Sequence, residues 1–106
     1  SREKLAERIV EIEDFRITYP YSNFLDEVND LYEHYILIFI YGSNNTPNYD
    51  ERNNFSDGSI AVFNNIIDKY PHTHFADILQ NFINSIAPNL NVLTDDTREN
   101  INNLIK

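Results

Sequence analysis

The sequence predicts an all-α fold, a bundle of about five helices in a single domain that spans residues 1–106. Three observations lead to this prediction. Apolar residues recur at helical spacing along most of the chain, capping residues precede several of these stripes, and proline or glycine follows them. With 106 residues, 42% of them hydrophobic, the chain is long and apolar enough to bury a modest core.

The first helix is predicted over residues 2–14, because Leu5, Ile9 and Ile12 follow helical spacing among residues of high helix propensity. Acidic and basic side chains alternate on the other side of this segment, as they do on a solvated helix face. The pattern breaks before Pro20, since a proline pushes the residue before it out of the helical region.

The second helix contains the one segment of ambiguous structure. Ser22 or Asn23 is predicted to cap this helix. Its predicted buried face is a stripe of five apolar residues, Phe24, Val28, Leu31, Tyr35 and Ile38, which is flanked by the apolar residues Leu25, Tyr32, Ile36 and Phe39. Residues 36–41 are apolar on all sides, which is typical either of the buried end of a helix or of a short strand. We favour a helix, because no breaker interrupts the stripe before Gly42; a strand would make the fold α+β.

A polar loop over residues 42–54 separates the second helix from the third. It is rich in Asn, Ser and acidic residues, and its length is more typical of a functional segment than of a simple connection. Ser56 is predicted to open the third helix, and Pro71 is predicted to stop it.

The fourth and fifth helices have clear capping signals. Thr73 precedes the most regular amphipathic pattern in the chain, which ends at Pro88, and Thr94 precedes a short last helix. A bend over residues 89–93 connects the two. Because the second and fourth helices have the most apolar stripes, we expect them at the centre of the bundle.

The charge balance argues against a nucleic-acid partner. The formal net charge is −9, and residues 17–106 carry twelve acids and four bases, a net of −8, which leaves −1 for residues 1–16. Direct binding to a phosphate backbone needs clustered Lys and Arg, so nucleic acid is not an expected ligand.

The side chains that could perform catalysis or hold a metal do not form a recognisable set. The chain has no cysteine and only two glycines, which excludes thiolate chemistry and a glycine-rich phosphate loop. His72 and His74 are the best metal candidates, but two imidazoles at a helix boundary leave a third ligand unspecified. No serine lies in a nucleophile motif. We therefore expect a protein that is not an enzyme and that needs no cofactor or metal.

The distribution of apolar residues also bears on location. The N-terminal segment contains charged residues from Arg2 onward, unlike the apolar stretch of a signal peptide. The longest apolar run, residues 35–41, is too short to cross a bilayer. The abundance of Asn, Ile, Asp and Tyr fits an AT-rich bacterial gene. We expect a cytoplasmic protein that has no membrane partner.

The most informative segment for function is residues 17–51. It contains six carboxylates and six of the seven tyrosines, and it has no Lys or Arg. A surface of one charge sign attracts basic partners, and tyrosine is favoured at the centre of interfaces. The residues predicted to supply the negative field are Asp26, Asp30 and Glu33, which share one helix face, with Asp50 and Glu51 from the loop. The residues predicted to be buried anchors are Tyr49, Tyr19 and Tyr21.

A small, acidic, cysteine-free helical chain with a Tyr-rich acidic surface resembles the immunity proteins that bacteria make against their own toxins, such as colicin-type nucleases and contact-dependent inhibition toxins. Residues 56–62 (SDGSIAV), which follow an acidic loop, are similar to the passage from loop to last helix in the colicin DNase immunity proteins. The Tyr-Tyr-Pro contact signature of those proteins has no counterpart here, so the resemblance assigns no contact residues.

The expected function is neutralisation of a basic partner, a cognate toxin domain with nuclease activity, by covering its substrate-binding surface. Such a surface must be basic to hold phosphates, so an acidic cover competes for the same Lys and Arg side chains. Two alternatives fit the same composition. One is a DNA-mimicking inhibitor of a nucleic-acid-binding enzyme, as phages make, and the other is a non-catalytic helical assembly subunit whose acids give solubility.

Overall fold

The computed structural model describes residues 1–43 and 45–106, and it confirms the prediction of an all-α bundle. Its α-helices are α1 (Arg2–Thr18), α2 (Leu25–Tyr41), α3 (Asp57–Lys69), α4 (His74–Ile86) and α5 (Asp95–Ile105), with a short 3-10 helix at Ala87–Asn89. The described residues form three isolated β-bridges but no strand, and residues 36–41 are helical. None of the helices described is both long and apolar enough to cross a bilayer.

Helix α4 lies at the centre of the bundle, as predicted, because it packs against α1, α3, α5 and the 3-10 helix. Helix α2 pairs mainly with α1 and reaches the centre through aromatic side chains. The Phe39 ring meets the Phe75 ring edge-on with centroids 5.0 Å apart, and Phe63 meets Phe82 in the same way at 5.9 Å. Edge-to-face pairs of this kind add stabilisation beyond the area that they bury.

The predicted N-caps of the last three α-helices are confirmed. Ser56, Thr73 and Thr94 each accept a hydrogen bond from the backbone N–H three residues later, at 3.0–3.2 Å. These bonds satisfy backbone donors that the first turn of a helix leaves without an intrahelical partner. Helix α3 ends two residues before Pro71, and α4 passes into the 3-10 helix that contains Pro88.

Two helix ends differ from the prediction. Helix α1 continues to Thr18, four residues beyond the predicted end, because the steric effect of Pro20 falls on Tyr19 alone, which leaves the helical region at φ −126°. Helix α2 has Phe24 as its N-cap, without a side-chain cap. The Ser22 hydroxyl instead accepts the Phe24 N–H at 3.1 Å, before the helix begins.

The buried face of α2 also differs from the predicted stripe. Phe24 and Leu31, which were expected in that stripe, are 66% and 41% exposed. The residues that are buried lie mostly one position further along the chain: Tyr32, Ile36, Phe39 and Ile40. The C-terminal half of α2 is apolar all round, so the period alone does not fix the rotation of the helix about its axis.

Candidate partner-binding surface

The structure distributes the eight predicted partner-binding residues along α2 and beyond both of its ends. Three lie at its start or in the turn before it: Tyr19, Tyr21 and Asp26. Three lie in the loop that follows it: Tyr49, Asp50 and Glu51. Asp30 and Glu33 lie between these two groups. Since α2 has 17 residues, the groups are separated by about 25 Å.

Exposed aromatic side chains occupy the turn between α1 and α2. Tyr21 is 95% exposed, Phe24 66% and Tyr19 57%. Together with Phe15 and Pro20 they line a shallow cavity of about 520 Å³, and we call these five residues the aromatic corner. The Phe15 ring packs against the Tyr19 ring with centroids 5.2 Å apart, so part of the corner is held in place. Contiguous exposed apolar side chains of this kind mark interaction sites.

The acidic face of α2 consists of Asp26, Asp30 and Glu33 and begins next to the aromatic corner. The spacing of these residues on a confirmed helix places them on one side of it. Asp26 and Asp30 are exposed, and Glu33 is half-buried. The nearest base before them in the sequence, Arg16, lies over the Tyr32 ring at 3.9 Å and donates a hydrogen bond to Asn29 at 3.3 Å.

Asp50 has a structural role in the loop, in addition to the partner-binding role predicted from the sequence. Its Oδ1 accepts the backbone N–H groups of Arg52 at 2.9 Å and Asn54 at 3.0 Å, and its Oδ2 accepts the Asn54 side-chain amide at 3.2 Å. These hydrogen bonds, the one from the Asn54 backbone first, lower the pKa of Asp50. Asp50 and Glu51 are both exposed, but the Asp50 carboxylate is engaged by the loop.

Tyr49 packs largely against the core. Its ring stacks on Phe55 with centroids 5.8 Å apart, and the two residues also form an isolated backbone bridge. The Arg98 guanidinium also lies over the Tyr49 ring, with its central carbon 5.4 Å from the ring centroid. Tyr49 is half-buried before any partner binds, unlike Tyr21.

A groove of about 1,090 Å³ lies between the C-terminal half of α2, residues 42–43 and 47–52 of the loop, and α5. Leu37, Ile38 and Pro47 are apolar residues of its lining, and we call these three residues its apolar wall. The charged residues that line the groove are two acids and two bases, Asp50, Glu51, Arg52 and Arg98. The formal charges of these four residues cancel, unlike those of the acidic face, and the part that Asp50 and Glu51 play in partner binding stays a prediction.

The groove contains a stacked arrangement of one arginine and two tyrosines. The central carbon of the Arg98 guanidinium lies 4.9 Å from the Tyr41 ring centroid, and the same guanidinium lies over the Tyr49 ring. Burial raises the pKa of Tyr41 to about 12, an effect that the Arg98 charge partly offsets. The Tyr41 hydroxyl is buried and has no hydrogen-bond partner within the described residues.

A buried carboxylate that sequence reasoning missed fixes the start of α4. Glu13 is only 7% exposed; its two oxygens accept the backbone N–H groups of His74 at 2.9 Å and Phe75 at 2.8 Å, and the Tyr32 hydroxyl at 2.7 Å. A carboxylate at a helix N-terminus also interacts favourably with the helix dipole. In the sequence Glu13 is one of several alternating charges, so no local signal distinguishes it.

A buried amide, also missed, fixes the loop that begins the groove. Asn48 donates hydrogen bonds to the carbonyls of Phe39 at 3.1 Å and Ile40 at 2.9 Å, near the end of α2, and it accepts one from the guanidinium of Arg2. Arg2 also donates to Ser59 at 3.3 Å. This network joins α1, α2, the loop and α3, and it positions the loop residues that line the groove.

The two histidines near the start of α4 do not belong to a metal-binding group of side chains within the described residues. The Nε2 atom of His74 lies 2.9 Å from the carbonyl oxygen of Leu104 in α5. Among residues 1–43 and 45–106, no group of three or more His, Cys, Asp or Glu side chains is arranged to hold a metal ion. His72 and His74 therefore have no third ligand in that part of the chain.

Comparison of the chain with models of protein families, with curated proteins and with solved structures finds no match. A functional interpretation accordingly depends on the geometry of the aromatic corner, the acidic face and the groove. Of these, the first two are adjacent, since Phe24 of the corner lies two residues before Asp26 of the acidic face.

Proposed function

We propose that this protein binds a basic protein partner through the aromatic corner and the acidic face of α2. More specifically, we propose an immunity protein that acts in the cytoplasm and neutralises a cognate bacterial toxin with nuclease activity by covering its substrate-binding surface. The observation that carries the proposal is the adjacency of exposed aromatic side chains and a run of acids within residues 17–51, a segment without Lys or Arg.

The two parts of this surface supply different contributions to binding. Tyr19, Tyr21 and Phe24 offer apolar area that becomes desolvated in a complex, and such aromatic residues carry most of the energy at interfaces. Carboxylates at the edge of an interface mainly accelerate association with a basic partner, in a manner that salt weakens. A nuclease presents basic side chains where its substrate binds, so it has the complementary charge.

The aromatic corner favours this proposal over a DNA mimic. A mimic reproduces the negative charge of a phosphate backbone, and it needs no exposed aromatic side chains next to that charge. Tyr21, which is 95% exposed, is instead suited to a pocket on one particular protein. The proposed partner is therefore recognised by shape as well as by charge.

The proposal is tested with a charge-reversal variant of the acidic face, Asp26→Lys, Asp30→Lys and Glu33→Lys. A matched control reverses three exposed acids elsewhere, Glu7, Glu11 and Asp68, and so changes the net charge equally. The partner is first isolated with the wild-type chain from its native cells, identified by mass spectrometry and assayed for nuclease activity. Binding kinetics are then measured at several salt concentrations, with circular dichroism to show that each variant folds.

We expect the acidic-face variant to associate at least tenfold more slowly at low salt, and to lose most of its salt dependence, whereas the control keeps both. Equal behaviour of the two variants would show that only the net charge matters, and the acidic face would not be the binding surface. A partner without nuclease activity would refute the immunity proposal and leave the binding surface standing.

A second variant tests the aromatic corner. Truncation of Tyr21 to alanine should weaken binding by about 2 kcal/mol or more, mainly through faster dissociation, because an anchor loses its buried contacts. Leu90, which is 88% exposed and lies outside the corner, provides the control through Leu90→Ala. If both substitutions have equally small effects on the dissociation rate, Tyr21 is not an anchor.

A further inference from the structure

The groove between α2, the loop and α5 is separate from the surface proposed above to bind a basic partner. Two of the four basic residues in residues 17–106, Arg52 and Arg98, line this groove in a chain whose net charge is −9. Its lining charges cancel, because the two acids Asp50 and Glu51 are matched by these two bases. An anion therefore meets far less repulsion here than on the acidic face.

The environment of Arg98 prepares its guanidinium for a bound group. Its central carbon lies 4.9 Å from the Tyr41 ring centroid and 5.4 Å from that of Tyr49. A cation–π contact with an aromatic ring occupies no N–H donor, so donors of the guanidinium stay available for a carboxylate. Because the rings restrict the side chain, less rotamer freedom is lost when a ligand binds.

The Tyr41 hydroxyl is carried by the ring over which Arg98 lies. It is buried and has no hydrogen-bond partner among the described residues, although buried hydroxyl groups in folded proteins are nearly always paired. Tyr41 and Arg98 both line the groove. The apolar wall, formed by Leu37, Ile38 and Pro47, offers a surface for an apolar group of a ligand.

We propose that this groove binds a carboxylate that carries an apolar group, with the Arg98 guanidinium donating hydrogen bonds to the carboxylate and the apolar wall holding the rest of the ligand. A carboxylate fits better than a phosphate monoester, because Glu51 and the overall negative charge oppose a dianion more strongly than a monoanion. This inference does not depend on the identity of the protein partner.

The test uses the full chain labelled with ¹⁵N and titrated with 3-phenylpropionate, followed through backbone amides and arginine side-chain resonances. The matched probe is 3-phenylpropionamide, which has the same apolar group without the charge. Two dipeptides, acetyl-Ala-Phe with a free C-terminal carboxylate and its C-terminal amide, distinguish a peptide end from a small acid as the preferred source. Phenyl phosphate serves as the dianionic comparison.

We expect 3-phenylpropionate to shift the Arg98 resonance and amides of residues 45–54 and of α5, and to bind at least tenfold more tightly than the amide probe. Arg98→Gln should abolish this difference, and Arg98→Lys should weaken carboxylate binding about tenfold because the planar fork is lost. Lys69→Gln is the control, since Lys69 also lies over a tyrosine ring, 5.5 Å from that of Tyr70, but outside the groove.

Circular dichroism and urea unfolding of each variant separate loss of binding from loss of the fold. Should Arg98→Gln fail to fold, the comparison of acid and amide probes on the wild-type chain still decides the matter. Equal affinity for acid and amide, shifts confined to the aromatic corner, or no binding by any probe would each overturn the proposal. Tighter binding of phenyl phosphate than of the carboxylate would overturn the assigned ligand class.

Discussion

Two tyrosines of α2 differ in what their hydroxyl groups contact. The Tyr32 hydroxyl donates to Glu13 at 2.7 Å, and Arg16 lies over its ring. The Tyr41 hydroxyl is also buried, but it has no hydrogen-bond partner within the described residues. A buried hydroxyl without a partner costs free energy, whereas a paired one contributes to stability. The same substitution should therefore have opposite effects at the two positions.

We expect Tyr41→Phe to raise the free energy of unfolding by about 1 kcal/mol, because it removes a desolvated hydroxyl and no hydrogen bond. Tyr32→Phe should lower that free energy by about 1–2 kcal/mol, because it removes a hydrogen bond to a buried carboxylate. Urea unfolding monitored by circular dichroism measures both. A loss of stability in Tyr41→Phe equal to that in Tyr32→Phe would mean that the Tyr41 hydroxyl is paired in solution.

The same two residues predict how stability depends on alkaline pH. Burial raises the pKa of Tyr41 to about 12, and burial also raises the pKa of Tyr32, with Glu13 adding to the effect. An unfolded tyrosine titrates near pH 10, so the unfolded chain loses these protons before the folded one. The stabilisation is complete below pH 10 and is lost as the pH rises from 10 to 12 and beyond.

This prediction is checked by urea unfolding at pH 8, 10, 11 and 12. We expect the wild-type free energy of unfolding to fall across the upper part of this range, and Tyr41→Phe to lose less of it because one of the two groups is absent. A profile of Tyr41→Phe that parallels the wild type would show that Tyr41 does not contribute to the alkaline loss.

At the residue scale, sequence reasoning succeeded for side chains with local partners and failed for side chains with distant ones. The caps at Ser56, Thr73 and Thr94 bond three residues away and were predicted. Glu13 and Asn48 bond across the fold, with Glu13 reaching residues 61 and 62 positions further along the chain. Nothing in the neighbouring sequence distinguishes such residues from solvated polar side chains.

At the element scale, the positions of α1 to α5 could be predicted, but the rotation of α2 could not. Amphipathic stripes and breakers are local, and they located every α-helix to within about a turn. Helix α2 becomes apolar all round in its second half, so its buried face is chosen by packing against α1 and α4 instead. The same packing leaves Phe24 exposed and thereby creates the aromatic corner.

The junction between α2 and the loop depends on a glycine. Gly42 has φ +84°, and a Cβ atom there would lie 2.8 Å from the Pro47 Cα and 2.9 Å from the Asn48 backbone nitrogen, with the Thr46 carbonyl oxygen closer still. All three neighbours are backbone atoms, so a side chain could be accommodated only by moving the loop. Gly42→Ala should lower the free energy of unfolding by about 3 kcal/mol, from backbone strain and overpacking together.

The other glycine provides the control for this substitution. Gly58 lies in the first turn of α3, and a Cβ atom there would have no neighbour within 4 Å. Gly58→Ala should therefore raise the free energy of unfolding by about 0.5 kcal/mol through higher helix propensity. Thermal or urea unfolding of both variants measures the contrast, and similar small effects at both positions would show that the loop is not fixed at Gly42.

At the scale of the whole molecule, negative charge is unevenly distributed over the helices. On α1, Glu7 and Glu11 alternate with Lys4 and Arg8, whereas Asp30 and Glu33 on α2 belong to a segment without bases. Exposed charges of one sign repel each other over the Debye length, which is about 30 Å at 0.01 M salt and about 10 Å at 0.1 M. We therefore expect the acidic face to lower the stability of the folded chain at low salt.

We expect the free energy of unfolding to rise by about 1 kcal/mol when NaCl is increased from 0.01 to 0.3 M, because screening relieves this repulsion. Neutralising the face with Asp30→Asn and Glu33→Gln should stabilise the fold at low salt and reduce the rise by roughly half.

The control, Glu7→Gln and Glu11→Gln, changes the net charge equally but removes attraction to neighbouring bases. The rise in the free energy of unfolding with salt should therefore not decrease in this control. If both pairs reduce the rise equally, net charge governs the stability, and the acids of α2 are not a distinct surface. If only the α2 pair does so, the fold tolerates a locally repulsive face, which is the feature expected of a surface whose charges are satisfied by a basic partner.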